Sequence, residues 1–100
     1  MKFMVTWEIE QDKWLPILKT WTGMTPKQRA DVGSGVRLVG RWHDVAARRG
    51  VLILESSDLA GVQRYIGKWN PYMDIEVAPV FDDEESVPVC QAIVEDNKSA

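Results

Sequence analysis

Residues 35–56 read GVRLVGRWHDVAARRGVLILES, and the folding of this stretch decides what the rest of the chain can do. Val36 to His43 and Gly50 to Ser56 have the composition of two strands, with Val45 to Arg49 as the turn between them. Side chains alternate between the faces of a strand, so the unbroken apolar run Val51-Leu52-Ile53-Leu54 predicts a strand with little water on either side. The partner strand alternates: Val36, Leu38, Gly40 and Trp42 fall on one face, and Arg37, Val39, Arg41 and His43 on the other. A strand that is apolar on both faces needs a layer on each, and 100 residues leave few ways to supply both.

Upstream, Lys2 to Glu10 alternates as a strand, with Phe3, Val5, Trp7 and Ile9 on one face. Trp14, Leu15, Leu18 and Trp21 then follow helical spacing, and Pro16 places the helix start near Asp12 to Trp14, because proline fits only the first turn. Thr25-Pro26-Lys27-Gln28 has the form of a capping box opening a short helix, which Gly33-Ser34-Gly35 closes. Downstream of the hairpin, Ser57 or Asp58 caps a helix with Leu59, Val62, Tyr65, Ile66 and Trp69 on one side, and Asn70-Pro71 ends it. Met73 to Phe81 is a fourth strand, an edge strand because of Pro79. Asp82 to Glu85 then place negative charge ahead of a last helix, whose first turn is Ser86-Val87-Pro88. That helix carries Val89, Cys90, Ile93 and Val94 and frays over residues 97–100.

The order strand, helix, strand, strand, helix, strand predicts an α+β fold, a ferredoxin-like βαββαβ unit. It has a four-stranded antiparallel sheet, helices on one face and an extra C-terminal helix. The chain is expected to be one domain over residues 1–100, with 82–100 as a helical extension. Helices on one face leave apolar groups on the other, which two copies packed sheet to sheet would bury, so a homodimer is expected.

A formal charge of −3 argues against nucleic acid, which demands clustered Lys and Arg. The one basic knot, Arg41 with Arg48-Arg49, reads as a solvated hairpin tip or an anion clamp. Cys90 is the single cysteine, so no internal disulfide is available, and its apolar setting predicts a small buried side chain. Neither a signal peptide nor a membrane span is visible, so a cytoplasmic protein without membrane partners is expected.

The segments GRWHDVAARRGVLILES (40–56) and RYIGKWNPYMDIEVAPVFDDEE (64–85), with MKFMVTWEI at the start, resemble a small uncharacterised bacterial family, DUF3303-like, of the dimeric α+β barrel superfamily. Relatives in that superfamily include cofactor-free quinol-type monooxygenases, haem-degrading enzymes, muconolactone isomerase and ligand-binding regulatory domains. The resemblance implies a cavity between sheet and helices in each subunit, and supplies no catalytic set.

His43 is the only histidine and the one side chain suited to proton transfer near neutral pH. It is read as a general base, assisted by Glu55 across the hairpin, or as a structural histidine at a strand end. Trp7, Trp42, Glu55, Tyr65, Trp69, Tyr72 and Asp74 are the candidate ligand-binding residues, since aromatic walls with a few polar groups make small-molecule pockets as well as cores. His43 with Asp44, Glu55 or Asp74 lacks metal-ligand spacing, and no haem-ligand motif is present, so neither metal nor cofactor is expected. Three functions remain: a homodimeric domain binding a small apolar or aromatic ligand, a cofactor-free monooxygenase or isomerase with His43 as base, and a structural or regulatory dimerisation module.

Overall fold

The computed structural model describes residues 1–98. Eight elements follow the predicted order: β1 (Lys2–Glu8), α1 (Gln11–Gly23), α2 (Pro26–Ala30), β2 (Arg37–Asp44), β3 (Arg49–Glu55), α3 (Leu59–Trp69), β4 (Asp74–Val80) and α4 (Asp83–Asp96). The strands form one antiparallel sheet in the order β2-β3-β1-β4. This is the ferredoxin-like arrangement with an added C-terminal helix. The expected fraying at 97–100 extends to residues 99 and 100, which lie outside the described residues.

Phe3 and Val5 of β1 and Leu52 and Leu54 of β3 point to the same side of the sheet and pack with Val32, Val62, Tyr65 and Ile66. Leu54, Val5 and Val62 are at most 1 % exposed. Burying each is worth roughly 1.5–3 kcal/mol. On β3 the doubly apolar run resolves into two kinds of position. Leu52 and Leu54 are buried under the helices, whereas Val51 and Ile53 are half-buried on the open face with exposed Met4 of β1.

The predicted face assignment along β2 is wrong beyond Leu38, and the cause is local. Leu38 pairs with Leu54, but Gly40 pairs with Ile53, so Val39 is an extra residue in a β-bulge. A bulge reverses the alternation that follows it. Arg41, opposite Leu52, therefore turns towards the helices, as does His43 opposite Gly50, while Gly40 and Trp42 face the open side. The Trp42 indole covers Gly40, where a Cβ would stand 2.4 Å from its Cη2.

Both prolines placed in first turns lie deeper than expected. Helix α1 begins at Gln11 and α4 at Asp83, so Pro16 and Pro88 sit inside their helices. The start of α4 is set by a capping box, in which Asp82 accepts from the Glu85 amide and Glu85 from the Asp82 amide. Thr25 and Gln28 form the predicted box at α2.

Helix α4 stands off the body. It contains no buried residue, and Val87, Val89, Ile93 and Val94 are exposed. Cys90, predicted to be buried, is exposed with them. The molecule measures 56 × 29 × 19 Å with a radius of gyration of 16.8 Å, against ~13 Å for a compact chain of this length. Lys2 anchors the base of the helix: its Nζ lies 3.1 Å from Asp82, 3.1 Å from Glu85 and 3.2 Å from Glu55. Asp82, then Glu85 and Glu55, push the Lys2 ammonium well above its ordinary pKa. Among the described residues no helix is long and apolar enough to cross a membrane.

Candidate functional site

Between the covered face of the sheet and helices α1 and α3 lies a cavity of about 90 Å³, several times the ~10–15 Å³ that a single water requires. The sheet contributes Val5, Trp7, Arg41, His43, Leu52 and Ile75. Helix α1 contributes Ile17, Leu18 and Trp21, and α3 contributes Tyr65, Ile66 and Trp69, with Ile9 and Met73 from adjoining loops. Every lining group except Arg41, His43, Tyr65 and the tryptophan N–H groups is apolar, and no carboxylate is among them.

His43 sits in an aromatic setting. Its ring centroid is 5.3 Å from Trp7, edge to face at 68°, and 5.3 Å from Trp21, tilted at 47°. Trp21 in turn meets Trp69 at 6.4 Å. Such pairs contribute about 0.5–1.5 kcal/mol each beyond the area they bury. Trp7 reaches His43 only because Gly50 lies between them on the sheet: a Cβ there would be 2.1 Å from the Trp7 ring. The two rings desolvate the imidazole, and nearby Arg41 repels a second positive charge. Both effects hold the His43 pKa below its ordinary value and favour the neutral ring at pH 7, although the residue is exposed to solvent at the mouth shared with the neighbouring groove.

Arg41 is the second polar anchor. Its guanidinium donates to the Arg29 carbonyl at 2.9 Å and to the Tyr65 hydroxyl at 3.0 Å, and lies 4.9 Å from the Trp21 ring centroid. Arg29 approaches the same ring at 5.7 Å. Stacking on an indole and a planar donor fork are properties that lysine would not supply.

Of the residues singled out in the sequence, Trp7, His43, Tyr65 and Trp69 converge on the cavity. Trp42 and Asp74 lie in an open groove beside it, whose lining shares Trp7, His43, Met73 and Ile75 with the cavity. Tyr72 is in a third depression between α1 and α3. Glu55 is not beside His43. It pairs with Arg37 at the far end of the hairpin, 2.8 Å away, and with Lys2, and these two cations, Arg37 first, lower its pKa. The basic knot is dispersed: Arg48 donates to the Ile9 carbonyl, Arg49 pairs with Asp44, and Arg41 enters the cavity. Sequence reasoning missed Arg41, Trp21 and Met73 as cavity residues. The signal for Arg41 was Gly40, since a glycine inside a strand often marks a bulge. Among the described residues no three His, Cys, Asp or Glu side chains stand close enough to hold a metal ion.

An antiparallel four-stranded sheet, helices on one face and an aromatic cavity between them define a ferredoxin-like α+β protein with a built-in pocket. The family described as a domain of unknown function, DUF3303, matches residues 1–94, and the chain belongs to it. No curated protein matches the chain.

Proposed function

We propose that this protein is a homodimeric, cytoplasmic small-molecule-binding domain whose ligand, small and apolar or aromatic, occupies the cavity between sheet and helices. The observation that carries this reading is the cavity itself: a half-open space of about 90 Å³ walled by Trp7, Trp21 and Trp69, with Arg41, His43 and Tyr65 as its polar groups. Apolar walls with a few convergent polar groups are what ligand pockets generally consist of. Pairing of two copies is supported by Met4, Val51, Ile53 and 58 %-exposed Trp42 on the open face of the sheet, and by the uncovered apolar side of α4. Sheet-to-sheet packing would remove the open face from water.

The test is thermal unfolding with a panel of single-ring aromatic compounds. A compound at tenfold its Kd contributes about 1.4 kcal/mol, which for a chain of this size raises Tm by roughly 6–11 °C. A panel that leaves Tm and the tryptophan NMR signals unmoved refutes ligand binding and leaves dimerisation as the function.

One observation favours a second reading, a cofactor-free monooxygenase or isomerase with His43 as base: the imidazole is neutral at pH 7 and lines the cavity. A neutral imidazole is the form that accepts a proton. Turnover of an electron-rich aromatic substrate that survives His43→Ala would exclude that role.

A further inference from the structure

The cavity contains a positive charge with no counter-charge. Arg41 makes no ion pair within 4 Å among the described residues, and neither does Arg29 behind it. The chain carries more acidic than basic residues, yet none of its carboxylates lines this cavity. The hydrogen bonding has the same polarity. Arg41 commits two of its five N–H groups, to the Arg29 carbonyl and the Tyr65 hydroxyl. The Tyr65 oxygen is the acceptor in that bond, so its own proton is left to donate, and Tyr65 is only 9 % exposed. Two donors thus converge on one apolar space that offers no acceptor of comparable strength. A half-buried guanidinium is stabilised most by an anion that takes two parallel N–H bonds.

We infer that the natural ligand of this cavity is a small monocarboxylate with an apolar, single-ring-sized body, its carboxylate held by Arg41 and Tyr65 and its body against Trp7, Trp21 and Trp69. This rests on the small-molecule reading above and adds the charge of the ligand. Glu8, Asp44, Asp74 and Glu76 line the neighbouring open groove against one cation, Arg49, which is paired with Asp44, so that groove is net negative and the anion preference is confined to the cavity.

The experiment compares benzoate, benzamide and benzylamine, which share a ring and differ in charge, by titration followed through the tryptophan N–H signals. Benzoate is expected to bind on the order of 10- to 100-fold more tightly than benzamide, the value of charge-assisted hydrogen bonds, with shifts centred on Trp21 and Trp69. In Arg41→Met that ratio should collapse towards one, and in Tyr65→Phe, which keeps the ring and the fold, it should fall severalfold. Near-UV circular dichroism checks that each variant is folded. If Arg41→Met does not fold, Arg41→Lys serves instead, keeping the charge while losing the paired donors and most of the preference. Benzamide or benzylamine binding as tightly as benzoate would overturn the carboxylate assignment while leaving an apolar ligand pocket. A benzoate preference undiminished by both the Arg41 and Tyr65 changes would overturn the role of these donors. Failure of all three compounds to bind would overturn this inference and the small-molecule reading together.

Discussion

Gly50→Ala adds one methyl group, and its consequences can be worked out from the sheet. The new Cβ would stand 2.1 and 2.4 Å from two atoms of the Trp7 ring and 2.6 Å from the Trp42 carbonyl oxygen, where ordinary contact begins at 3.4 Å. The indole must therefore retreat by more than 1 Å, disturbing its edge-to-face contact with the His43 ring at 5.3 Å. Overpacking of this kind costs ~1–3 kcal/mol, offset by ~0.4–1 kcal/mol from the stiffer unfolded chain. A net loss of about 1–2 kcal/mol lowers Tm by roughly 4–16 °C in a domain of this size. Thermal unfolding measures this, and near-UV circular dichroism reports the displaced indole. The same substitution in a Trp7→Leu background should lose the part of its cost that comes from the ring, a coupling of at least ~0.5 kcal/mol. The Trp42 carbonyl contact would remain. A Gly50→Ala protein that melts within a degree of the parent, or costs that simply add in the double variant, would refute the packing argument.

Ile53→Asp places a charge on the open face of the sheet and should convert a dimer into a folded monomer, as read by sedimentation equilibrium; an unchanged mass would show that the sheet face is not the contact. Because the folded state holds the His43 pKa below the ordinary ~6.5, the unfolded chain binds its proton first. The His43 contribution to stability is then full above pH 6.5, declines as pH falls through that value, and levels off below the folded pKa. His43→Gln should remove that slope between pH 7 and 5, and the single imidazole can be titrated directly by NMR. Leu54→Ala, at a side chain 0 % exposed, should cost ~2–5 kcal/mol, whereas Leu59→Ala, at one 52 % exposed, should stay within ~0.5 kcal/mol; similar losses in denaturant melts would contradict the assigned core.

The order of elements was legible because it depends on periodicity and on Gly, Pro and cap residues, all local signals. Thr25-Pro26-Lys27-Gln28 shows this, with its capping box as predicted. The face that each residue of β2 presents was not legible, because one inserted residue, Val39, reverses everything after it. The alternation predicted for Arg41 and His43 was internally consistent and still put them on the wrong side of the bulge. For the candidate site, that meant Trp42 was selected and Arg41 passed over. Glu55 was misplaced for a related reason: pairing with the near or the far end of a strand depends on register, which the sequence of the hairpin leaves open. In α4, Val87, Val89, Ile93 and Val94 have the spacing of a helix that packs on something, and spacing alone does not distinguish the same chain from another.

The strand order carries a consequence for how the molecule comes into being. β1 lies in the interior of the sheet, between β3 and β4, and its pairs join opposite ends of the chain, Lys2 with Val80 and Glu8 with Asp74. The β2-β3 hairpin closes from neighbours such as Asp44 and Arg49, and so can form early at little entropic cost. β4 has no neighbour except β1, so on a ribosome the first strand can pair with β3 and bury Phe3 and Val5 against α3 once residue 69 has emerged, but its other edge stays open until residues 74–80 follow. Until then that edge of β1 offers unpaired backbone groups to any other strand, and a chaperone that covers it until β4 arrives would protect the nascent chain.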